Sequence, residues 1–166
     1  MNTERMMREI DGSVSRIGEL HEACIQKTQE KLDHLTKPKG SLGRLEEIAK
    51  NIAGITGKEV LSFQHKVIFT LAADHGIAGE GVSVYPQEVT AQMVLNFLRG
   101  GAAINVLARH AGARVVVADL GVASDFQPAP GLIIKKINHG TQNMLRGPAM
   151  TREEAVKCLE VGIDLA

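Results

Sequence analysis

Apolar positions in the first part of the chain recur at helical spacing. One mostly apolar stripe, flanked by charged and polar faces, consists of Ile17, Leu20, Ala23, Cys24, Thr28, Lys31, Leu32 and Leu35. A second stripe consists of Leu42, Leu45, Ile48, Ala49 and Ile52. Ser41 is a suitable N-cap for the second helix, and Gly54 and Gly57 mark its end. These patterns predict a helical subdomain over residues 1–57, built from two helices and a turn.

From residue 58 onward, short apolar runs alternate with helical segments. The pattern predicts strands at 67–73, 114–120 and 132–137, and helices at 88–98 and 102–111. Such alternation is typical of βα units, so residues 58–166 are predicted to form an α/β domain with a mainly parallel sheet.

A last helix is predicted from the capping box formed by Thr151 and Glu154. Its apolar positions are Ala155, Val156, Leu159, Ile163 and Ala166. No strand follows to continue the alternation, which favours a truncated chain, although many domains end on a helix.

The strand at 67–73 ends abruptly in Asp74, His75 and Gly76. Its unbroken apolar run predicts a strand covered on both faces, and open parallel sheets bind ligands beyond the carboxyl ends of such strands. Asp74 could act as a carboxylate base or hydrogen-bond the turn, and the turn role is the commoner one. His75 could contact a base or simply pack at the strand end. Asp119 lies near the end of the next predicted strand, as Asp74 lies at the end of the first.

The composition argues against nucleic-acid binding, membrane binding and a cysteine metal site. Nineteen basic and nineteen acidic residues balance, so no global field attracts nucleic acid or a membrane surface, and the expected partner is a small molecule. Cys24 and Cys158 are far apart and show no metal-ligand spacing. A metal site at the sheet edge is not expected. Its candidate ligands would be Asp74, His75, Asp119 and His139, and no two of them have the sequence spacing of a metal site. No signal peptide is recognised, so a cytoplasmic protein is expected.

The loop between the first two helices is basic. Lys37, Lys39 and Arg44 crowd a glycine-containing segment that opens a helix at Ser41. One interpretation is an anion site with Lys37, Ser41 and Arg44 as contacts, since backbone N–H groups at a helix start favour anions. The other is an ordinary Pro/Gly connector with solvated charges, which residue types alone favour.

Five segments of the chain, in this order and spacing, resemble one enzyme family. They are Lys37-Pro38-Lys39-Gly40-Ser41-Leu42-Gly43-Arg44-Leu45-Glu46, Ala73-Asp74-His75-Gly76, Glu80-Gly81-Val82-Ser83-Val84-Tyr85-Pro86, Arg99-Gly100-Gly101-Ala102-Ala103-Ile104-Asn105-Val106-Leu107-Ala108 and Gly147-Pro148-Ala149-Met150-Thr151. The chain is similar to the nicotinate-nucleotide:dimethylbenzimidazole phosphoribosyltransferases. The similarity covers the chain from about residue 28 onward.

The resemblance implies a reaction and a fold. The family transfers phosphoribose from nicotinate mononucleotide to 5,6-dimethylbenzimidazole, giving α-ribazole 5′-phosphate and nicotinate for the lower ligand of cobalamin. It implies a cytoplasmic homodimer with a three-layer α/β/α fold around a mainly parallel sheet, a small helical domain, and no cofactor or metal. The chain resembles the first half of the family, and the glutamate proposed as general base lies beyond residue 166. We therefore expect the chain to be inactive alone.

The resemblance also implies a substrate-binding segment. By this comparison, the acceptor base contacts Asp74, His75, Ser83, Tyr85, Pro86, Gln92 and Met93. Some family members have glutamine at the position aligned with Met93, so Gln92 could supply that polar contact instead. From the pattern alone, Met93 packs in the core with Val89 and Phe97. The alternative function is a non-catalytic module that binds a heterocyclic base or a nucleotide.

Overall fold

The computed structural model describes residues 3–166, apart from the side chains of Thr3 and Met6. The chain divides into two compact units. One is Ser13–Gln64, and the other groups the residues up to Gly12 with His65–Ala166. The hydrophobic pattern assigns all of residues 1–57 to one helical subdomain, whereas the contacts group the first helix, α1 (Thr3–Val14), largely with the sheet. Hydrophobic spacing along a helix does not specify which unit that helix joins.

The helical unit contains α2 (Glu22–Asp33) and α3 (Arg44–Thr56). Ile17 and Leu20 precede α2, so the predicted first stripe overruns the helix. Gly43 is the N-cap of α3, in place of the predicted Ser41. The difference has a physical cause in the preceding loop: the Glu46 carboxylate accepts hydrogen bonds from the Leu42 amide at 3.1 Å and from Lys37 Nζ at 2.8 Å.

The sheet unit has three parallel strands in the order β1 (Lys66–Ala73), β2 (Ala113–Gly121) and β3 (Leu132–Ile134). A short 3-10 helix at Gly76–Glu80, then α4 (Glu88–Leu98) and α5 (Ala103–Ala111), connect the first two strands. This is the predicted α/β alternation, and the predicted helices and strands agree with it to within a few residues at their ends. The parallel βα arrangement is confirmed.

The core of this unit lies on one face of the sheet. Ala72, Val94, Val117 and Val122 are buried together, with Phe97 packed against them. On the other face of β1, Val67, Phe69 and Leu71 are 37%, 40% and 51% exposed. The prediction that β1 is covered on both faces is therefore wrong for the part of the chain described. An apolar run shows that its residues can be buried. It does not show which other segment of the protein covers each face of the strand.

The last helix, α6 (Arg152–Leu165), begins with the predicted capping box. Glu154 N donates to Thr151 Oγ1 at 3.2 Å, while Thr151 N donates to Glu154 Oε2 at 2.7 Å. Asn138 Nδ2 adds a bond to Glu154 Oε1 at 2.7 Å, which ties the helix start to the segment after β3. These bonds, the Thr151 amide first, hold the pKa of Glu154 below its usual value. Within residues 3–166, none of the helices has the length and hydrophobicity to cross a membrane.

The buried Lys37–Glu46 pair makes the helical unit sensitive to acid. The hydrogen bond from Lys37 holds the pKa of Glu46 below its usual value of 4.5. A lowered folded-state pKa contributes stability above the unfolded value and loses that contribution as the pH falls through the folded value. We expect Glu46→Gln to speed hydrogen exchange of the α3 amides severalfold at about pH 7 and to have a smaller effect at about pH 3, where protonation of Glu46 competes with the pair.

Glu47→Gln is the matched control, because Glu47 pairs with Arg44 at 2.6 Å on an exposed surface. Exposed pairs contribute little to stability, so this variant should exchange like the wild-type chain. Equal effects of Glu46→Gln at both pH values would contradict the assignment.

Candidate functional site

Three chain segments meet at the carboxyl ends of β1 and β2. The register of these strands shifts between Ala72 and Ala73, so that Ala73 pairs with Gly121. Asp74 N then donates to Gly121 O at 2.9 Å, and Thr141 N donates to Asp74 O at 3.0 Å. Gly76 N continues the ladder with a bond to Thr141 O at 3.1 Å. Residues 74–76, which we call the Asp74 turn, are therefore hydrogen-bonded to the backbone of one segment at Gly121 and of another at Thr141.

Glycine is required where these backbones approach. A Cβ atom on Gly76 would lie 2.6 Å from Asn143 N and 2.7 Å from Thr141 O. Gly140 has a φ of +90°, and its Cβ would lie 3.2 Å from Asp74 O. Gly76 is closed to a side chain for steric reasons, whereas Gly140 is required mainly for its left-handed backbone conformation, with a tight contact added. The glycine that ends the Asp-His-Gly run thus has a packing role at the site.

Two buried carboxylates lie at this edge. Asp74 is 3% exposed, and its Oδ2 atom accepts a hydrogen bond from Ala123 N at 2.7 Å. Asp119 is fully buried, and its Oδ1 atom accepts from Gly121 N at 3.1 Å and Val122 N at 2.8 Å. Both side chains thus bind the backbone of the loop that follows β2. This arrangement favours the turn role for Asp74, and its contact with a ligand stays a prediction.

A cavity of about 420 Å³ lies between the end of β1 and α4, and we call it the β1–α4 cavity. The residues that are predicted to surround an acceptor base and that line this cavity are Asp74, His75, Ser83, Tyr85, Pro86 and Met93. Gln92 does not line it. The reason is helical geometry: Met93 shares a face of α4 with Val89 and Phe97, which also line the cavity, and Gln92 is turned about 100° away.

Three polar residues of the β1–α4 cavity, Thr70, Gln87 and Thr90, are missing from the sequence-based prediction. Thr70 Oγ1 is buried and has no hydrogen-bond partner among residues 3–166. A hydroxyl inside an apolar strand run gives no signal of its own in the sequence. Gln87 could have been found, because it directly precedes α4 and follows the Tyr85-Pro86 pair.

A second cavity, of about 140 Å³, lies on the other side of the end of β1, and we call it the β1–α6 cavity. Its walls are mostly apolar, with Leu71, Leu120, Ile137 and Met150 among them. Cys158 also lines it, and burial raises the pKa of its thiol, which keeps the group neutral. The two cavities share Asp74 and His75, so the Asp74 turn is a wall between them.

The basic loop of the helical unit is already paired internally. Lys37 Nζ lies 2.8 Å from Glu46, Lys39 Nζ 3.3 Å from Asp33, and Arg44 Nη1 2.6 Å from Glu47. An anion would have to compete with these carboxylates for the cations. The anion contacts assigned to Lys37, Ser41 and Arg44 stay a prediction, with the connector role supported by the pairing.

No group of three or more His, Cys, Asp or Glu side chains that could hold a metal ion occurs in the described part of the chain. Asp74, His75, Asp119 and His139 do not form such a group. His139 Nε2 instead lies 2.9 Å from Asp125 Oδ1 on the surface. The arrangement at the strand ends is one of apolar cavities bordered by hydrogen-bonded carboxylates, which suits a flat organic ligand.

A family model described as a phosphoribosyltransferase matches residues 17–166. The chain is 58% identical over 154 residues to the nicotinate-nucleotide–dimethylbenzimidazole phosphoribosyltransferase of Geobacter sulfurreducens, covering 93% of this chain and 44% of that protein. It is 51% identical over 157 residues to the protein of the same name from Chloroflexus aurantiacus, covering 95% of this chain and 45% of that protein. The chain thus spans less than half the length of these curated relatives.

The fold has a counterpart among solved structures. The crystal structure of the nicotinate-nucleotide–dimethylbenzimidazole phosphoribosyltransferase from Thermus thermophilus aligns with a TM-score of 0.78 and 46% sequence identity. The alignment covers 86% of this chain and 43% of that one. The sequence identity and the TM-score together show that the chain shares the α/β fold of that structure.

The close approach at Gly76 predicts a large effect of one methyl group. Gly76→Ala should lower the free energy of unfolding by about 2 kcal/mol, because the added Cβ overlaps the backbone at Thr141 and Asn143. Chemical denaturation of the full chain measures the loss. Gly79→Ala is the matched control in the same short helix, since a Cβ there meets nothing within 4 Å. Equal stability of the two variants would show that the segments can separate at little cost.

Proposed function

The chain belongs to the phosphoribosyltransferase family, and from that premise we propose that it supplies the acceptor-base side of an enzyme acting on nicotinate mononucleotide and 5,6-dimethylbenzimidazole. The products are α-ribazole 5′-phosphate and nicotinate. The observation that carries the proposal is the β1–α4 cavity, where Ser83, Tyr85, Pro86 and Met93 come together at the carboxyl end of β1. By resemblance, we further propose that the whole protein is a cytoplasmic homodimer.

The β1–α4 cavity has the chemistry that a dimethylbenzimidazole needs. The ring is flat and mostly apolar, and the cavity offers Met93, Phe97 and Pro86 as apolar walls. Tyr85 is the only tyrosine of the chain, and its ring can stack on a second aromatic system. Asp74 and Ser83 are polar groups at the border that can orient ring nitrogens.

The proposed reaction exchanges one carbon–nitrogen bond for another. The unprotonated nitrogen of the benzimidazole attacks the anomeric carbon of the ribose, while the bond to the nicotinate nitrogen breaks. The electron pair of that bond neutralises the nicotinate ring, so the leaving group departs readily. The proton on the other benzimidazole nitrogen must then pass to a base within hydrogen-bond reach.

The two strand-end carboxylates differ in their ability to accept that proton from the ligand. Asp119 is fully buried and lies 2.9 Å from Lys136 Nζ, so it is closed to a ligand. Asp74 borders both cavities, but one of its oxygens is held by Ala123 N. We therefore propose that Asp74 shapes the acceptor pocket. By resemblance, the proton acceptor is the glutamate near the carboxyl end of the longer relatives.

Binding of the acceptor base tests the cavity directly. We expect the 166-residue chain to bind 5,6-dimethylbenzimidazole and Tyr85→Ala to weaken binding about tenfold, because an aromatic contact is lost. Isothermal titration calorimetry measures the dissociation constants. Val84→Ala is the control, since Val84 is 92% exposed and does not line the cavity. Absence of binding by the wild-type chain would reject the proposed site, and equal binding by Tyr85→Ala would reject its stacking role.

Turnover tests whether residues 1–166 contain a proton acceptor of their own. With nicotinate mononucleotide and dimethylbenzimidazole, residues 1–166 alone should form no α-ribazole 5′-phosphate detectable by mass spectrometry. The reason is that Asp119 is inaccessible and Asp74 is engaged by the backbone. Product formation by the purified chain would contradict this expectation and assign the proton transfer to Asp74 or His75.

A further inference from the structure

Lys136 places a buried ammonium group against the loop that follows β2. Its side chain is 13% exposed, and Nζ lies 2.9 Å from Asp119 Oδ2. Nζ also donates to Ser124 O at 3.0 Å and to Val122 O. The ammonium therefore donates to two backbone carbonyls and makes an ion pair with one carboxylate. A lysine in this setting is fixed in place.

The loop at 121–124 depends on charged side chains for its backbone hydrogen bonds. Asp119 accepts from the amides of Gly121 and Val122, and Asp74 accepts from the amide of Ala123. Lys136 donates to the two carbonyls named above. Gly121 O accepts from Asp74 N, but residues 122–124 make no backbone hydrogen bond to a neighbouring strand within residues 3–166. Two carboxylates and one ammonium take that place.

Lys136 also compensates the negative charge of the buried Asp119 carboxylate. The Oδ2 atom of Asp119 is buried and has no hydrogen-bond partner in the described part of the chain, so the nearby ammonium compensates it electrostatically. An unpaired buried carboxylate is strongly destabilising. Replacing Lys136 alone would thus mix two effects, loss of stability and loss of the loop geometry. A useful test must separate them.

We propose that Lys136 is a positioning residue for the candidate site: by holding the 121–124 loop, it fixes the Ala123 amide that orients the Asp74 carboxylate between the two cavities. The assignment rests on the proposed function only for the identity of the ligand. Lys136 touches neither cavity and makes no contact with the substrate in this role. It acts through Ala123 and Asp74.

The chain offers a matched control in the adjacent lysine. Lys135 N donates to Asp119 O at 2.9 Å, and Ile137 N donates to Leu120 O at 2.8 Å, so this segment runs on beside β2 in extended form. Neighbouring side chains of an extended segment point to opposite sides. Lys135 accordingly pairs with Asp164 at 3.6 Å on the surface. Lys135→Met removes the same charge without touching the loop.

The test uses the double variant Lys136→Met with Asp119→Asn in the full chain. The substituted amide can still accept from Gly121 and Val122 and carries no charge, so the fold should be retained while the carbonyls of Val122 and Ser124 lose their donor. We expect amide hydrogen exchange at 121–124 to be about tenfold faster and dimethylbenzimidazole to bind about tenfold more weakly, as loss of hydrogen bonds to a charged group implies. Lys135→Met alone should stay close to wild type in both measurements, and Asp119→Asn alone is the reference against which the double variant is compared.

The outcomes are distinguishable. Wild-type exchange at 121–124 in the double variant would overturn the proposal, as would an equal effect of Lys135→Met. Faster exchange with unchanged base affinity would overturn the positioning role and leave Lys136 purely structural. If the wild-type chain binds no dimethylbenzimidazole, the proposed function fails, and exchange still decides whether Lys136 holds the loop. Should the double variant not fold, Lys136→Leu with Asp119→Asn also removes the donor and is judged by the same exchange comparison.

Discussion

The site depends on the satisfaction of buried backbone groups at the carboxyl ends of β1 and β2. Three segments converge there, and only part of their backbone can pair with a neighbouring strand. Asp119 and Asp74 accept the amide hydrogens of Val122 and Ala123, and Lys136 donates to the carbonyls of Val122 and Ser124. Asp74 and Asp119 are buried, and hydrogen bonding of this kind is the condition under which a buried charge is tolerated.

This constraint explains the shape of the candidate binding region. The Asp74 turn is pinned on one side by Gly121 and on the other by Thr141, and it divides the β1–α4 cavity from the β1–α6 cavity. A wall made of hydrogen-bonded backbone is stiff, so we expect the β1–α4 cavity, the proposed acceptor pocket, to need little rearrangement to bind a ligand. Within the proposed phosphoribosyl transfer, that stiffness positions the base against the sugar, and the chemistry of proton removal is left to another carboxylate.

The helical unit shows the same principle on a smaller scale. Lys37, Lys39 and Arg44 suggest an anion site when read along the sequence, but each lies beside a carboxylate in the structure. The Lys37–Glu46 pair is buried and also determines where α3 begins, since Glu46 captures the Leu42 amide. Residue type alone does not show whether a cation is free to bind a ligand or is already used to hold a loop.

The sequence by itself determined the order and type of the elements of the sheet unit, the capping box of α6 and the family. Local patterns suffice there, because helical and strand periodicity, caps and ordered motifs are properties of neighbouring residues. It also selected Tyr85 and Met93, which line one cavity, but grouped Gln92 with them. Only the tertiary structure decided that Gln92 faces away, that one face of β1 is exposed and that Lys136, a residue without any motif, holds the loop beside Asp74. Those features arise from contacts between segments far apart in the chain, and a pattern of neighbours carries no information about which distant atoms will meet.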